Sequence, residues 1–282
     1  MPEKKAQRGR LGDLGARLAT SAVVIPVLLW LLFWAPRIGF LLLVIAATAI
    51  GASELFGMTL PKRRVLQGLG VSSSVGVCAV FIFQPSELAI VTVLLGVLVV
   101  GLLGGLFAPA PIETAAARTG WLVAGPLYTG GLLATIALLH QREHGGAWVV
   151  LAMMLAWFGD TFAYFAGRAF GKHKLYERVS PKKTIEGAGG GLAGSVAGAL
   201  LAHFWYLPDL PLLGGIALAV VAGALGQAGD LVESLIKRSC GVKDSGFIVP
   251  GHGGLLDRID ALMLTAAATW VFAAWFVDGH AG

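Results

Sequence analysis

Apolar runs alternate with short polar gaps along almost the whole chain. Nine of them are long enough to cross a bilayer core, which takes about 20 residues in a helix. They fall at 18–35, 38–58, 66–84, 88–108, 121–140, 147–168, 188–207, 212–232 and 259–278. Only helices and closed barrels satisfy every backbone donor and acceptor inside lipid, and runs of this length predict helices. The expected fold is therefore an all-α, polytopic integral membrane protein of about nine transmembrane helices. No gap is long enough to fold independently, and no internal repeat is apparent. Two regions differ in character: residues 1–145, with about five spans, and residues 146–282, with about four spans and two polar loops.

Composition strengthens this reading. Of 282 residues, 56% are hydrophobic and 13% are charged, against about 25% charged in an ordinary soluble domain; the mean hydropathy is +0.79. Cys78 and Cys240 offer neither a disulfide framework nor zinc-ligand spacing. With the N-terminus inside, 19 of the 21 Lys and Arg residues fall in gaps on one side, leaving Arg37 and Arg142 on the other. By the positive-inside rule the N-terminus and both large polar loops are then cytoplasmic, in the cell (inner or plasma) membrane. The net charge of +5 is explained by topology and does not call for a nucleic-acid partner. The basic N-terminus resembles a signal peptide, but Trp34-Ala35-Pro36-Arg37 makes a poor cleavage site, so the first span is expected to be retained.

The first region is chemically quiet. Glu54 is expected near the cytoplasmic interface, beside Lys62, Arg63 and Arg64, whose charges set topology and meet anionic membrane lipids. In the second region Gly190, Gly194 and Gly198 recur every fourth residue, a face that suits close helix packing within the chain or in a homodimer.

The chemistry-bearing residues cluster after residue 155. If the eighth span continues as a helix, Asp230, Glu233, Ser234 and Lys237 share a face. Asp257 and Asp260 stand one turn apart at the start of the ninth span, just after His252-Gly253-Gly254. Helix capping accounts for carboxylates there, but carboxylates from two adjacent helix ends with little His or Cys favour oxygen-liganded Mg²⁺ over zinc. The other loop runs from Asp160 to Arg168, where the two could pair, and on to Ser180-Pro181-Lys182-Lys183-Thr184-Ile185-Glu186-Gly187. Two ammonium groups and two hydroxyls before a glycine-rich helix start would suit a triphosphate.

Ser234-Leu235-Ile236-Lys237-Arg238, then Lys243-Asp244, then Pro250-Gly251-His252-Gly253-Gly254-Leu255-Leu256-Asp257-Arg258-Ile259-Asp260 resembles the signature of the phosphatidate cytidylyltransferases, also called CDP-diacylglycerol synthases. The stretch from Asp160 to Gly187 is similar too, with Ile185 where the family often has Trp, and Val249 is a minor departure. The resemblance covers about residues 155–278. It implies transfer of a cytidylyl group from CTP to phosphatidic acid, with Mg²⁺ on Asp230, Asp257 and Asp260 and a second cation beside it. It further implies catalytic roles for Lys237 and Arg238. Substrate contacts fall to Ser180, Lys182, Lys183, Thr184, Ser234, Lys243, Asp244, His252 and Arg258. The competing readings are a CTP-dependent lipid kinase, a cytidylyltransferase for another lipid phosphate, and an ion-coupled transporter. Against the transporter, the charges lie at one membrane face and not at the midplane.

Overall fold

The structure, a computed structural model, describes residue 22 and residues 25–246 and 253–277. Among the described residues, eight helices are long and apolar enough to cross a membrane. They match the second to ninth expected spans; most of the first expected span, 18–35, lies outside the described residues, although 25–33 is helical. In chain order these are α1 (Arg37–Thr59), α2 (Arg64–Phe83), α3 (Glu87–Phe107), the crossing Ile112–His140, α6 (Gly145–Phe170), α7 (Ile185–Leu201), α8 (Leu212–Ser239) and α9 (Leu256–Phe272). The fourth crossing joins α4 (Ala115–Pro126) to α5 (Leu132–His140) through a π-helical turn at Leu127–Gly131, which accommodates Pro126 inside the span.

Two element ends differ from the sequence expectation. The fourth crossing begins before 121, because Arg118 is buried and its guanidinium is satisfied by the carbonyls of Ala108 (3.0 Å), Pro109 (2.9 Å) and Pro111 (3.1 Å). A cation whose terminal guanidinium nitrogens are bonded to backbone carbonyls no longer marks a span boundary. α8 runs past 232 to Ser239, carrying Glu233, Ser234 and Lys237 on the same helix as Asp230.

Among the described residues the helices are joined by one two-stranded hairpin. Strands β1 (Lys174–Tyr176) and β2 (Ser180–Thr184) pair antiparallel, with Lys174 opposite Thr184 and Tyr176 opposite Ser180. The sequence reading treated this stretch as loop. Its polar, Pro-containing composition conceals a strand, and an isolated two-stranded hairpin is marginal. Here it is tethered at its ends. The Glu186 carboxylate accepts the backbone N–H groups of Lys172 (3.1 Å) and His173 (3.2 Å). Thr184 accepts the Gly187 N–H at 3.1 Å, capping α7.

The core gathers Phe40, Leu55, Leu139, Leu151, Leu155 and Leu256 from both halves of the chain. The small-residue face of α7 packs against α6 within this core. A Cβ at Gly194 would stand 2.5 Å from the Phe158 carbonyl, which is backbone and cannot yield. The face is thus occupied inside the chain. Counting crossings, the turn at 60–63, the segment 108–114, the hairpin, residues 240–246 and residues 253–255 all lie at one end of the bundle.

Candidate active site

Four helices and the hairpin converge at that end. β2 projects Lys182 and Lys183 over α6 and α8, and Lys183 Nζ reaches Asp230 Oδ2 at 2.6 Å. Asp160, Arg168, Lys182, Lys183, Thr184, Gln227 and Asp230 line part of a pocket of about 500 Å³. Its remaining wall includes Ala163, Leu175 and Ala188. Gln227 Nε2 donates to the Ala188 carbonyl at 3.1 Å, tying α8 to α7 at the pocket floor. Asp160 faces this polar end and does not pair with Arg168, whose Nη1 donates to the Tyr164 hydroxyl at 3.1 Å.

Asp160, Asp230 and Asp260 lie within electrostatic reach of one another. Small residues on α8 bring α9 that close. A Cβ at Gly229 would fall 2.6 Å from the Asp260 carbonyl, and one at Gly226 would fall 2.8 Å from Thr265 Cγ2. The expected stripe on α8 is present: Ser234 Oγ donates to Asp230 Oδ1 at 3.3 Å, and Lys237 pairs with Glu233 one turn back.

Beside the pocket is a second, drier cluster. Lys237, 8% exposed, sits between Glu233, 1% exposed, and Asp257, whose Oδ1 is 2.5 Å from the ammonium. Asp257 Oδ2 accepts Ser245 N–H (2.9 Å), Ser245 Oγ–H (2.9 Å) and Gly254 N–H (3.0 Å). The sequence reading gave Lys237 a direct part in catalysis. In the structure it is buried and paired with two carboxylates, Glu233 and Asp257, and an ammonium so enclosed is held by its ion pairs.

Glu54 lies toward the bundle end where it is expected, and it has partners there that the sequence does not show. It is 6% exposed, and its carboxylate accepts Leu255 N–H and Leu256 N–H, each at 2.9 Å, with Ser245 Oγ at 3.2 Å. α1 therefore holds the N-terminus of α9 and the turn that cradles Asp257. A carboxylate inside an apolar run was the available signal; its partner, about 200 residues away, left none.

The other expected site residues are more exposed. Arg238 donates from Nη1 to the Val242 carbonyl at 3.1 Å. Lys243, Asp244 and Arg258 are exposed near the same bundle end, and Ser180 opens β2. The Thr184 hydroxyl is engaged as the α7 cap. His252 lies outside the described residues.

The donor set fits Mg²⁺. Lys183 on Asp230 and Lys237 on Asp257 mark two points where these carboxylates already stabilise positive charge. All the candidate ligands are hard oxygens. Among the described residues no group of three His, Cys, Asp or Glu side chains is close enough to enclose one ion. Mg²⁺ needs no such cage, since one or two carboxylates with substrate phosphates and water complete its shell.

The chain matches the cytidylyltransferase family over residues 15–276. Among proteins it resembles, the phosphatidate cytidylyltransferase of Brucella abortus is 43% identical over 167 residues, covering 56% of this chain and 59% of that protein. Phosphatidate cytidylyltransferases of Staphylococcus saprophyticus and Staphylococcus haemolyticus are 44% identical over 126 residues and 45% identical over 122 residues. These matches cover 45% and 43% of this chain, and 48% and 47% of those relatives. The matched stretch thus spans about half the length of these relatives.

Proposed function

The chain belongs to the cytidylyltransferase family, and we propose that it transfers the cytidylyl group of CTP to phosphatidic acid, giving CDP-diacylglycerol and pyrophosphate. The observation that carries this reading is the pocket in which Lys182, Lys183, Asp160 and Asp230 meet at the surface end of apolar helices. A water-borne nucleotide and a lipid phosphate can meet at such a boundary. The excess of Lys and Arg on this side supports a cytoplasmic site in the cell membrane.

The nucleophile is a phosphate monoester with a second pKa of about 6, so it is mostly dianionic at neutral pH. No side chain has to remove a proton. The monoester oxygen attacks the α-phosphorus of CTP, the bond from that phosphorus to the β-bridging oxygen breaks, and pyrophosphate leaves with the electron pair. The barrier is electrostatic, because one anion must approach another.

Lys182 and Lys183 offset nucleotide charge, with Lys183 leaving Asp230 for a phosphate oxygen. Arg168, in the pocket wall, and Lys243, exposed at the same end of the bundle, would take the lipid phosphate or pyrophosphate. Asp230, Asp257 and Asp260 are the carboxylates we assign to Mg²⁺, which when bound supplies charge neutralisation at phosphate oxygens. Asp160 adds negative charge enough for a second cation. Lys237, Ser245 and Glu54 keep Asp257 in place throughout.

Label position tests the reaction. With CTP labelled at the α-phosphorus, label moves into CDP-diacylglycerol in the lipid extract, whereas a CTP-dependent kinase would move only γ-label and release CDP. Transfer of γ-label alone would overturn the proposal.

A further inference from the structure

A second cavity, of about 1210 Å³, opens at the same end of the bundle between α2 and α3. It shares no lining residue with the candidate reaction pocket. Its walls are Val65, Leu66, Leu69, Val100, Leu103 and Phe107, and its mouth carries Lys62, Arg63 and Arg64. Val65 and Phe107 are 78% and 81% exposed, so the apolar side is open to the surroundings. The rim is built rather than loose. Arg118 clamps the carbonyls of residues 108, 109 and 111, and Arg63 donates to the Ala110 carbonyl. Lys62 and Arg64 remain exposed on either side.

Three cations above an apolar trough, at the level where helices leave the membrane, complement one kind of molecule. We propose that this groove binds an anionic glycerophospholipid, with its phosphate on Lys62, Arg63 and Arg64 and one acyl chain along Val65, Leu69, Val100, Leu103 and Phe107. A free phosphate would leave the trough empty, and a zwitterionic lipid would bring its own cation against three others. Basic pockets between membrane helices hold anionic headgroups in this way. The site is separate from the reaction pocket and does not depend on which reaction that pocket performs.

Native mass spectrometry of the full chain in detergent, titrated with phosphatidylglycerol or phosphatidylcholine, tests it. The wild-type chain retains phosphatidylglycerol preferentially, and K62Q/R64Q loses that preference, with binding weaker by about thirtyfold. Lys62→Arg with Arg64→Lys restores it, and Leu103→Trp, which fills the trough, weakens it without changing the charge. Arg37→Gln, at the opposite end of α1, leaves retention unchanged, and millimolar inorganic phosphate does not compete. A melting midpoint matching wild type shows that each variant is folded. Equal retention of phosphatidylglycerol by wild type and K62Q/R64Q, an equal loss of both lipids, or displacement by inorganic phosphate overturns the proposal.

Discussion

Glu54 Oε2 accepts the backbone N–H of Leu256 at 2.9 Å, across 202 positions of chain. The same carboxylate takes Leu255 N–H and meets Ser245, whose amide and hydroxyl both point to Asp257. One side chain from α1 thus fixes the start of α9 and, through Ser245, the geometry of a candidate metal ligand.

Removing that acceptor leaves buried amide donors unpaired. Glu54→Ala is expected to cost roughly 2 to 4 kcal/mol, read as a lower midpoint in detergent denaturation, with Glu54→Gln milder because it keeps one acceptor oxygen. A Glu54→Ala protein with an unchanged midpoint would show that the carboxylate contributes nothing to the fold.

Among the described residues, Lys237 pairs with both Glu233 and Asp257. Lys237→Met strands two buried carboxylates and should destabilise by roughly 3 to 5 kcal/mol. Adding Glu233→Gln should recover part of that loss. If the double variant is no more stable than the single one, the two residues are not coupled as described.

The Lys183–Asp230 pair behaves differently, since both side chains are about a quarter to a third exposed. Lys183→Ala should change stability by less than about 1 kcal/mol. Its effect belongs to substrate charge: the KM for CTP should rise by at least about tenfold. An unchanged KM would remove Lys183 from the nucleotide site.

Gly229 permits the approach of α8 and α9. Gly229→Ala drives a methyl group into the Asp260 carbonyl, at an expected cost of about 1 to 3 kcal/mol. Because Asp260 would shift away from Asp230, half-maximal activity should require more Mg²⁺. A variant of wild-type stability and Mg²⁺ dependence would mean that the contact relaxes without moving Asp260.

Much of this site was legible in the sequence where partners are local. Asp230, Ser234, Glu233 and Lys237 follow helical spacing, and α8 continues far enough to align them. The glycine face of α7 was readable for the same reason. Three features were not. Glu54 finds its partners only through the tertiary fold, so its position in an apolar run gave a cost without a reason. The hairpin at 174–184 has too few alternating apolar residues to declare itself. Burial of Lys237 was hidden because spacing gives the face of a residue but not what covers it.

The most direct test of the whole account is pyrophosphate release by the purified full chain in detergent with CTP, phosphatidic acid and Mg²⁺. Each component is omitted in turn, and Asp230→Asn and Asp257→Asn are assayed once a melting midpoint shows that they are folded. The account predicts release that requires all three components and falls by at least about a hundredfold, near 2.7 kcal/mol of transition-state stabilisation, in either variant. Release that persists without phosphatidic acid, or that survives both substitutions, would contradict it.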